Sequence, residues 1–325
     1  MINKIRLHKV IKNLVQKKDA LEYTKPEIAR NIETFGVLID GKLSKNRLEW
    51  VIDGQSIEFI HWPQRKHGDF AKIKVLFQDE TLMLLFKPIG VVVQTGNGHQ
   101  SKNLVQWLRD NYDHQKSFDL SLYPSGGLIN RIDKNTQGLI LVAKSVEYKN
   151  FYQNQFRKRK IIKKYLALVN NLTESQYHVK AWQSRSKKEP TTQKLFWDKK
   201  EAQKYDPKAR YSESIINPLF VCPKSNQSII EVSIKTGRMH QIRLHCQELG
   251  FPLVNDPKYN KIIPKNLNIC ESKKAHPKLI EPEVFSRILD SLFDQSDYGL
   301  LSNYIKIELF SGKFLEYTYK KSDQF

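Results

Sequence analysis

In the stretch Asn130-Arg131-Ile132-Asp133, a single carboxylate stands two residues after an arginine, shortly before the apolar run Leu139–Ala143. Asp133 is the only acid between Asn130 and Lys144. A guanidinium nearby favours the ionised form of a carboxylate. Such a group, partly withdrawn from water, can act as a nucleophile or stabilise a cationic sugar centre. A plainer role fits the same residues: a turn aspartate ahead of a strand, its side chain bonding the Asn135 amide. These residues alone leave both roles open. A calcium loop fails on spacing. Asp133, Asn135 and Gln137-Gly138 imitate the start of an EF-hand, but Lys144 occupies the position that requires a bidentate glutamate.

Other chemistries lack their residues. His240 and His245 are five apart and no HExxH occurs, so no metal site is expected. There is no GxxxxGK[ST] phosphate loop and no GxSxG. Cys222, Cys246 and Cys270 are far apart and form no CxxC, which excludes a zinc or redox pair and fits a reducing cytosol. A carboxylate-dependent glycosidase would need a second well-placed acid.

The elements that must hold Asp133 read as follows. "IKVLFQDETLMLLFKPIGVVVQTG" predicts strand, acidic turn, strand, Lys-Pro-x-Gly turn and a further strand, then a helix over 104–112. A loop with Ser125-Gly126-Gly127 leads to Asp133 and the strand after it. Residues 145–162 predict a helix, "KKYLALV" a strand, and "SIIEVSIKTG" another. "RMHQIRLHCQELG" predicts a helix ending at Gly250, with Met239, Ile242, Cys246 and Leu249 buried and His240, Arg243 and Gln247 on another face. Residues 183–208 and 261–284 are polar and read as loops or insertions, the first partly disordered. The tail predicts two final strands.

Residues 4–60 read as a separate unit. Ile5, Val10, Ile11, Leu14 and Val15 form a helical stripe. "TKPEIARNIETFG" is a second helix, capped by Thr24 with Glu27, its face carrying Ile28, Ile32 and Phe35. Turns at Asp40-Gly41 and Asp53-Gly54 separate short strands. The expected division is 1–62, a linker at 63–72, and a second domain at 73–325.

Charge points to the partner. The 325 residues carry 54 Lys+Arg against 34 Asp+Glu, a net +20. That balance on a folded chain favours nucleic acid. The excess is local: residues 144–164 hold eight Lys/Arg and one acid, Glu147, interleaved with Phe151, Tyr152 and Phe156. Such a face suits phosphate contact. Residues 4–60 carry 11 basic residues against 8 acidic, so that unit is expected to be an accessory grip. The amino-terminal sequence is too charged for a signal peptide, and no segment reaches the roughly 18 apolar residues of a membrane span. A cytoplasmic protein without a membrane partner is expected.

"GGLINRIDKNTQGLILVAKS" resembles the arginine–(Leu/Ile)–aspartate motif of the RluA-type RNA pseudouridine synthases. "LLFKPIGVVVQ" is similar to their first motif, at Lys87, Pro88 and Gly90, and "IIKKYLALV" to their lysine-x-tyrosine strand, at Lys163 and Tyr165. "TGRMHQIRLHCQELGFPLVNDPKY" is similar to their third motif and the loop after it. The N-terminal unit resembles the αL RNA-binding module first seen in ribosomal small-subunit protein four. The resemblance implies an α+β fold: a mixed, mainly antiparallel sheet with flanking helices, behind a small αL domain. It implies an isomerase that converts uridine to pseudouridine without cofactor or metal. Its expected RNA is ribosomal, of the large subunit, with transfer RNA the alternative. Asp133, Tyr165 and Arg243 would be catalytic. Asp133 would do the chemistry at the glycosidic bond and Tyr165 would lie against the uracil and take the C5 proton. Arg243 would pair with Asp133. Arg131 would fill the space of a flipped-out uridine. Lys163 and Arg238, with Arg6, Lys9, Arg30 and Lys42 of the N-terminal unit, would contact RNA. His240 and Gln241 are read as supporting residues. A monomer is expected. The chain departs from the family at Asn130, where histidine is usual, at Met239, where threonine is usual, and over 183–208 and 261–284. A non-catalytic RNA-binding or ribosome-assembly protein is the rival reading.

Overall fold

The structure is a computed structural model that describes residues 4–17, 25–52, 54–59, 68–94, 102–112, 125–260, 271–293 and 299–320. The chain divides into two compact units, Met1–His67 and Gly68–Phe325. Residues 63–67 of the expected linker lie outside the described residues, as do Thr24, Asp53 and Cys270. Its remainder belongs to the second unit, where Asp69 caps the short 3-10 turn Phe70–Lys72 through the Ala71 N–H.

In the first unit, strand β1 (Lys4–Arg6) precedes helices α1 (Leu7–Lys17) and α2 (Lys25–Thr34). Strands β2 (Val37–Ile39), β3 (Lys42–Ser44), β4 (Trp50–Ile52) and β5 (Ile57–Phe59) follow. β1 pairs with β4, and β3, β2 and β5 form a second small sheet. Leu7, Ile11, Ile28 and Ile32 pack with Val37, Ile39 and Val51. Ile5 lies in β1 and Phe35 just beyond α2, and both are exposed, so neither extends the helical stripe as expected.

The second unit is built on one twelve-stranded sheet. Its first strands are β6 (Lys74–Gln78) and β7 (Leu82–Lys87), followed by helix α3 (Leu104–Tyr112). Next come β8 (Gln137–Ala143), helix α4 (Val146–Arg157), β9 (Ile162–Asn170) and β10 (Ser175–Arg185). β11 (Gln193–Phe196), helix α5 (Lys199–Tyr205), β12 (Arg210–Cys222), β13 (Gln227–Ile234) and helix α6 (Gln241–Glu248) follow. The chain then forms β14 (Glu271–Lys274), β15 (Lys278–Leu279), helix α7 (Pro282–Leu292), β16 (Leu300–Glu308) and β17 (Phe314–Thr318).

The main path is β11-β10-β12-β13-β9-β16-β8-β7-β6, with β14, β15 and β17 added beside β10, β12 and β16. Pairing is antiparallel except at β8–β16 and β12–β15, so the sheet is mixed and mainly antiparallel, as expected. Every residue of β7 and β8 is buried, as interior strands covered on both faces require. Gly138 is needed where β8 meets β16: its φ is +118°, and a Cβ there would stand 2.1 Å from the Ser302 carbonyl oxygen. One apolar core joins α3 to β7 and β8, and another joins α6 to β9, β12 and β13. Ile132 packs against both, so the loop bearing Asp133 is seated where they meet.

The structure corrects four element expectations. Val91–Val93 forms no strand. Its carbonyls are taken instead by the Lys87 ammonium and by the Leu104 and Val105 N–H groups at the start of α3. Residues 183–208 are not a loop: they hold the end of β10, all of β11 and α5, with Leu195, Phe196 and Ala202 buried. Of 261–284, residues 261–270 lie outside the described residues, and the rest form β14, β15 and the start of α7. Met239, expected on the buried face, is 40% exposed and precedes α6, while Arg243, expected on another face, is buried.

Candidate active site

Asp133 occupies a return between two antiparallel stretches. Residues 127–130 run beside β8, joined by Ala143 N–H to Gly127 O and Ile129 N–H to Leu141 O. The Asn130 side chain continues this pairing, accepting from Leu141 N–H at 2.7 Å and donating to Leu139 O at 3.3 Å. Asparagine thus supplies both a donor and an acceptor where the family usually has histidine. The chain then turns, with Thr136 N–H donating to the Asp133 carbonyl at 3.1 Å. The turn is thus made by the main chain of Asp133 and not by the expected side-chain bond to the Asn135 amide, and its carboxylate is left for another partner.

That partner is Arg243, in the first half of α6. Its Nη1 lies 3.2 Å from Asp133 Oδ2. Its Nε and Nη2 each lie 2.8 Å from an oxygen of Asp256, a bidentate fork. Asp256 is fully buried, and its Oδ1 also accepts from the Lys258 and Tyr259 amides. Burial raises the Asp256 pKa, but the hydrogen bonds and charge of Arg243 outweigh it and hold the carboxyl below its usual range. Asp256 was not singled out from sequence. The available signal was that it is the only acid between Glu248 and Glu271.

Lys163 and Tyr165 are two apart on β9 and therefore share a face. Both line the recess that contains Asp133. Tyr165 is 5% exposed and hydrogen-bonded to Ser302 of β16, and burial pushes its phenol up to about 12. It is a neutral phenol at pH 7. The Lys163 Nζ sits 4.7 Å from the Phe156 ring centroid, and burial lowers its pKa to about 8.

Lys87 braces the same loop. It is fully buried, and its Nζ donates to the carbonyls of Pro88, Val91 and Lys134 at 2.8, 2.9 and 3.0 Å. The Lys134 carbonyl also accepts from Gly90 N–H at 2.9 Å, so the Lys-Pro-x-Gly turn is tied to the residue after Asp133. Burial lowers the Lys87 pKa to about 7, opposed by the nearby Asp133 charge.

Gln241 fastens the segment before α6. Its Oε1 accepts from Thr236 Oγ1 and Arg238 N–H, and its Nε2 donates to Glu213 O and Ser214 Oγ. Arg238 also donates through Nε to Tyr211 O at 2.8 Å.

Tyr165, Gln241 and Arg243 line the recess around Asp133, and Asp133, Lys163 and Arg238 also line a cleft of about 880 Å³. Arg131, Arg157, Arg159, Lys163, Lys235 and Arg238 line it, and Asp133 is the only acid lining it among the described residues. Arg131 is exposed at its wall. The structure thus brings together Asp133, Tyr165, Arg243, Arg131, Lys163 and Arg238 from the sequence expectation. Arg6, Lys9, Arg30 and Lys42 belong to the first unit. There Arg6 stacks 3.8 Å from the Trp50 ring centroid and donates to Leu48 O, and Lys9 and Lys42 are exposed. Arg30 lies on α2. Among the described residues, no group of three or more His, Cys, Asp or Glu is placed to hold a metal ion.

A family model described as RNA pseudouridylate synthase matches residues 81–248. This chain belongs to that family. The match spans Lys87, Asp133, Tyr165 and Arg243, so the pseudouridine synthase resemblance read from the motifs is borne out. Among relatives of this family, the ribosomal large subunit pseudouridine synthase D of Zymomonas mobilis is 30% identical over 230 residues, 70% of this chain and 66% of that protein. The protein of the same name from Nitrosomonas europaea is 31% identical over 201 residues, 62% of this chain and 54% of that protein. This chain therefore spans 54–66% of the length of these two relatives. The solved structure of human RNA pseudouridylate synthase domain containing 1 shares the fold, with a TM-score of 0.52 and 18% identity over 76% of this chain and 82% of that one.

Proposed function

We propose that this chain isomerises uridine to pseudouridine in RNA, and that its substrate is large-subunit ribosomal RNA. One observation carries the reading: Asp133, the only acid lining a basic cleft among the described residues, is held through Oδ2 by Arg243 at 3.2 Å. The family match and the names of the two relatives support it. The reaction breaks the bond from ribose C1′ to uracil N1 and forms one from C1′ to C5. The C5 proton is lost and N1 regains one, so no oxidant or energy source is consumed.

In this reading the cleft cations hold the phosphates on either side of the target and Arg131 occupies the place of the extruded base. Asp133 presents an anionic oxygen at the glycosidic bond, where positive character develops. Tyr165 lies against the uracil as a neutral phenol, its oxygen held by the hydrogen bond with Ser302. The first unit serves as an αL RNA-binding module, with Lys9, Lys42, Arg30 and Arg6 as its basic contacts. The protein works as a cytoplasmic monomer.

The test is Asp133→Asn. Pseudouridine is mapped by carbodiimide-blocked reverse transcription across ribosomal and transfer RNA in a deletion strain carrying either form. The reading expects the wild type to restore a ribosomal site, and the variant to restore none while binding RNA normally. Unchanged pseudouridine in the variant would overturn the catalytic reading. A restored site in transfer RNA would move the substrate but keep the chemistry.

A further inference from the structure

His240 stands between the third motif and α6 in a left-handed conformation, with φ of +56°. It is the third residue of a turn closed by Gln241 N–H to Arg238 O at 3.2 Å. A side chain in that region costs free energy that glycine would not. The conformation directs the ring inward, where its side chain is 12% exposed and Nε2 faces Asp133 Oδ2 at 3.9 Å. The other ring nitrogen, Nδ1, lies 2.9 Å from the Tyr259 hydroxyl.

The Tyr259 hydroxyl settles which nitrogen carries the proton. It is 2% exposed and accepts from the Gln193 N–H of β11 at 2.6 Å. Burial pushes its phenol up to about 12, so it keeps its one proton at neutral pH. Among the described residues the remaining partner of that hydroxyl is His240 Nδ1. Tyr259 therefore donates to Nδ1, and a neutral imidazole in this position must carry its hydrogen on Nε2. The groups facing the ring are Asp133, Arg243, Asp256, Lys258 and Tyr259, and burial outweighs their combined charge, lowering the His240 pKa to about 4.

We infer that Tyr259 is a positioning residue that fixes His240 as the Nε2–H tautomer and aims that N–H at Asp133 Oδ2. Residues 256–259 then orient both donors on the carboxylate: Asp256 grips Arg243, and Tyr259 orients His240. Both donors address Oδ2, which leaves Oδ1 for the ribose or the base. Closing the His240 contact needs a movement of about 0.7 Å to reach hydrogen-bond range, as catalytic contacts often show before substrate binds. β11 and the turn before it enter the same network, since Gln193 N–H holds Tyr259 and Thr191 O accepts from Lys258 Nζ at 3.1 Å. The stretch that resembled an insertion thus buttresses the site.

The catalytic part of this inference rests on Asp133 acting as proposed; the tautomer does not. Imidazole 15N NMR on the full chain reads it directly. A neutral ring with hydrogen on Nε2 at pH 7 is expected, shifting toward a tautomer mixture in Tyr259→Phe. A proton on Nδ1, or an imidazolium, overturns the relay whether or not the chain is active. Single-turnover kinetics test the coupling. His240→Leu and Tyr259→Phe should each lower the rate roughly tenfold with RNA affinity unchanged, and the double variant should fall no further than His240→Leu alone. His240→Gln, which restores an N–H toward Asp133, should recover most of the rate. Fully multiplicative losses, or a Gln variant as slow as Leu, would overturn the positioning role.

Discussion

Asp256 grips Arg243 along one edge, from Nε and Nη2 at 2.8 Å each, and this leaves Nη1 as the nitrogen that meets Asp133. The arginine is buried and its charge is compensated mainly from behind, by a carboxylate that never reaches the cleft.

Asp256→Asn should therefore damage both fold and chemistry. It removes the compensating charge of a buried guanidinium, a loss of about 3–5 kcal/mol in comparable pairs. Urea unfolding should show that loss, and residual activity at low denaturant should fall by about 100-fold, as expected when a positioned group is misplaced by an ångström. A variant as stable and active as wild type would show that Arg243 does not need its anchor.

Lys87→Met should uncouple the first motif from the Asp133 loop. The buried carbonyls of Pro88 and Val91 lose this donor, and leaving such acceptors unmet costs about 1–3 kcal/mol each before relaxation, while the Lys134 carbonyl keeps the Gly90 N–H. A lower melting temperature is expected, with reduced turnover even well below it. Retained turnover in the folded variant would limit Lys87 to a stabilising role.

Acid should unfold the second unit early. His240 and His245 are buried and neutral, with burial lowering them to about 4 and about 3 from an ordinary 6.5. Their unfolded forms bind protons first, so stability is intact above pH 6.5 and is lost as pH falls toward the folded values. By pH 4.5 each ring should cost on the order of 2–3 kcal/mol. His245 has its Nε2 on Ser212 Oγ, away from Asp133, so His245→Leu should lose less stability than wild type between pH 7 and pH 4.5. An equal loss would mean the ring does not carry this dependence.

Salt should report the cleft cations one at a time. Arg157→Ala and Lys235→Ala each remove one lining cation. Each should flatten the plot of log affinity against log salt by about 0.7 for a single-stranded contact. Filter binding over a salt series measures it, and an unchanged slope would remove that residue from the phosphate path.

Much of the site was legible because its signals are local. Lys163 and Tyr165 share a face by the two-residue period of a strand, and Asp133 sits at the turn into a buried strand. Asp256 was hidden because its meaning lies in a contact thirteen residues back, made from a loop with no period to read. Val91-Val92-Val93 looked like a strand because β-branched residues favour one. Its backbone groups had other partners in Lys87 and α3, and tertiary pairing overrode propensity. Residues 183–208 looked like a loop because the stretch is polar and rich in lysine. Trp182, Gln183, Ser184 and Arg185 nonetheless pair in register with Phe196, Leu195, Lys194 and Gln193. The pairing of Arg243 with Asp133 was expected from the motif resemblance, but a helical pattern cannot show the buried carboxylate of Asp256 arriving from outside the helix.

The turn at residues 133–136 is closed by the carbonyl of Asp133, not by its carboxylate. Folding and reactivity are therefore assigned to different atoms of one residue. Arg243 keeps Asp256 when the Asp133 charge is removed, so a single amide-for-acid exchange should yield an inert protein with an intact scaffold. Such a protein would still occupy its RNA, and in a cell it would compete with the active form for the same sites.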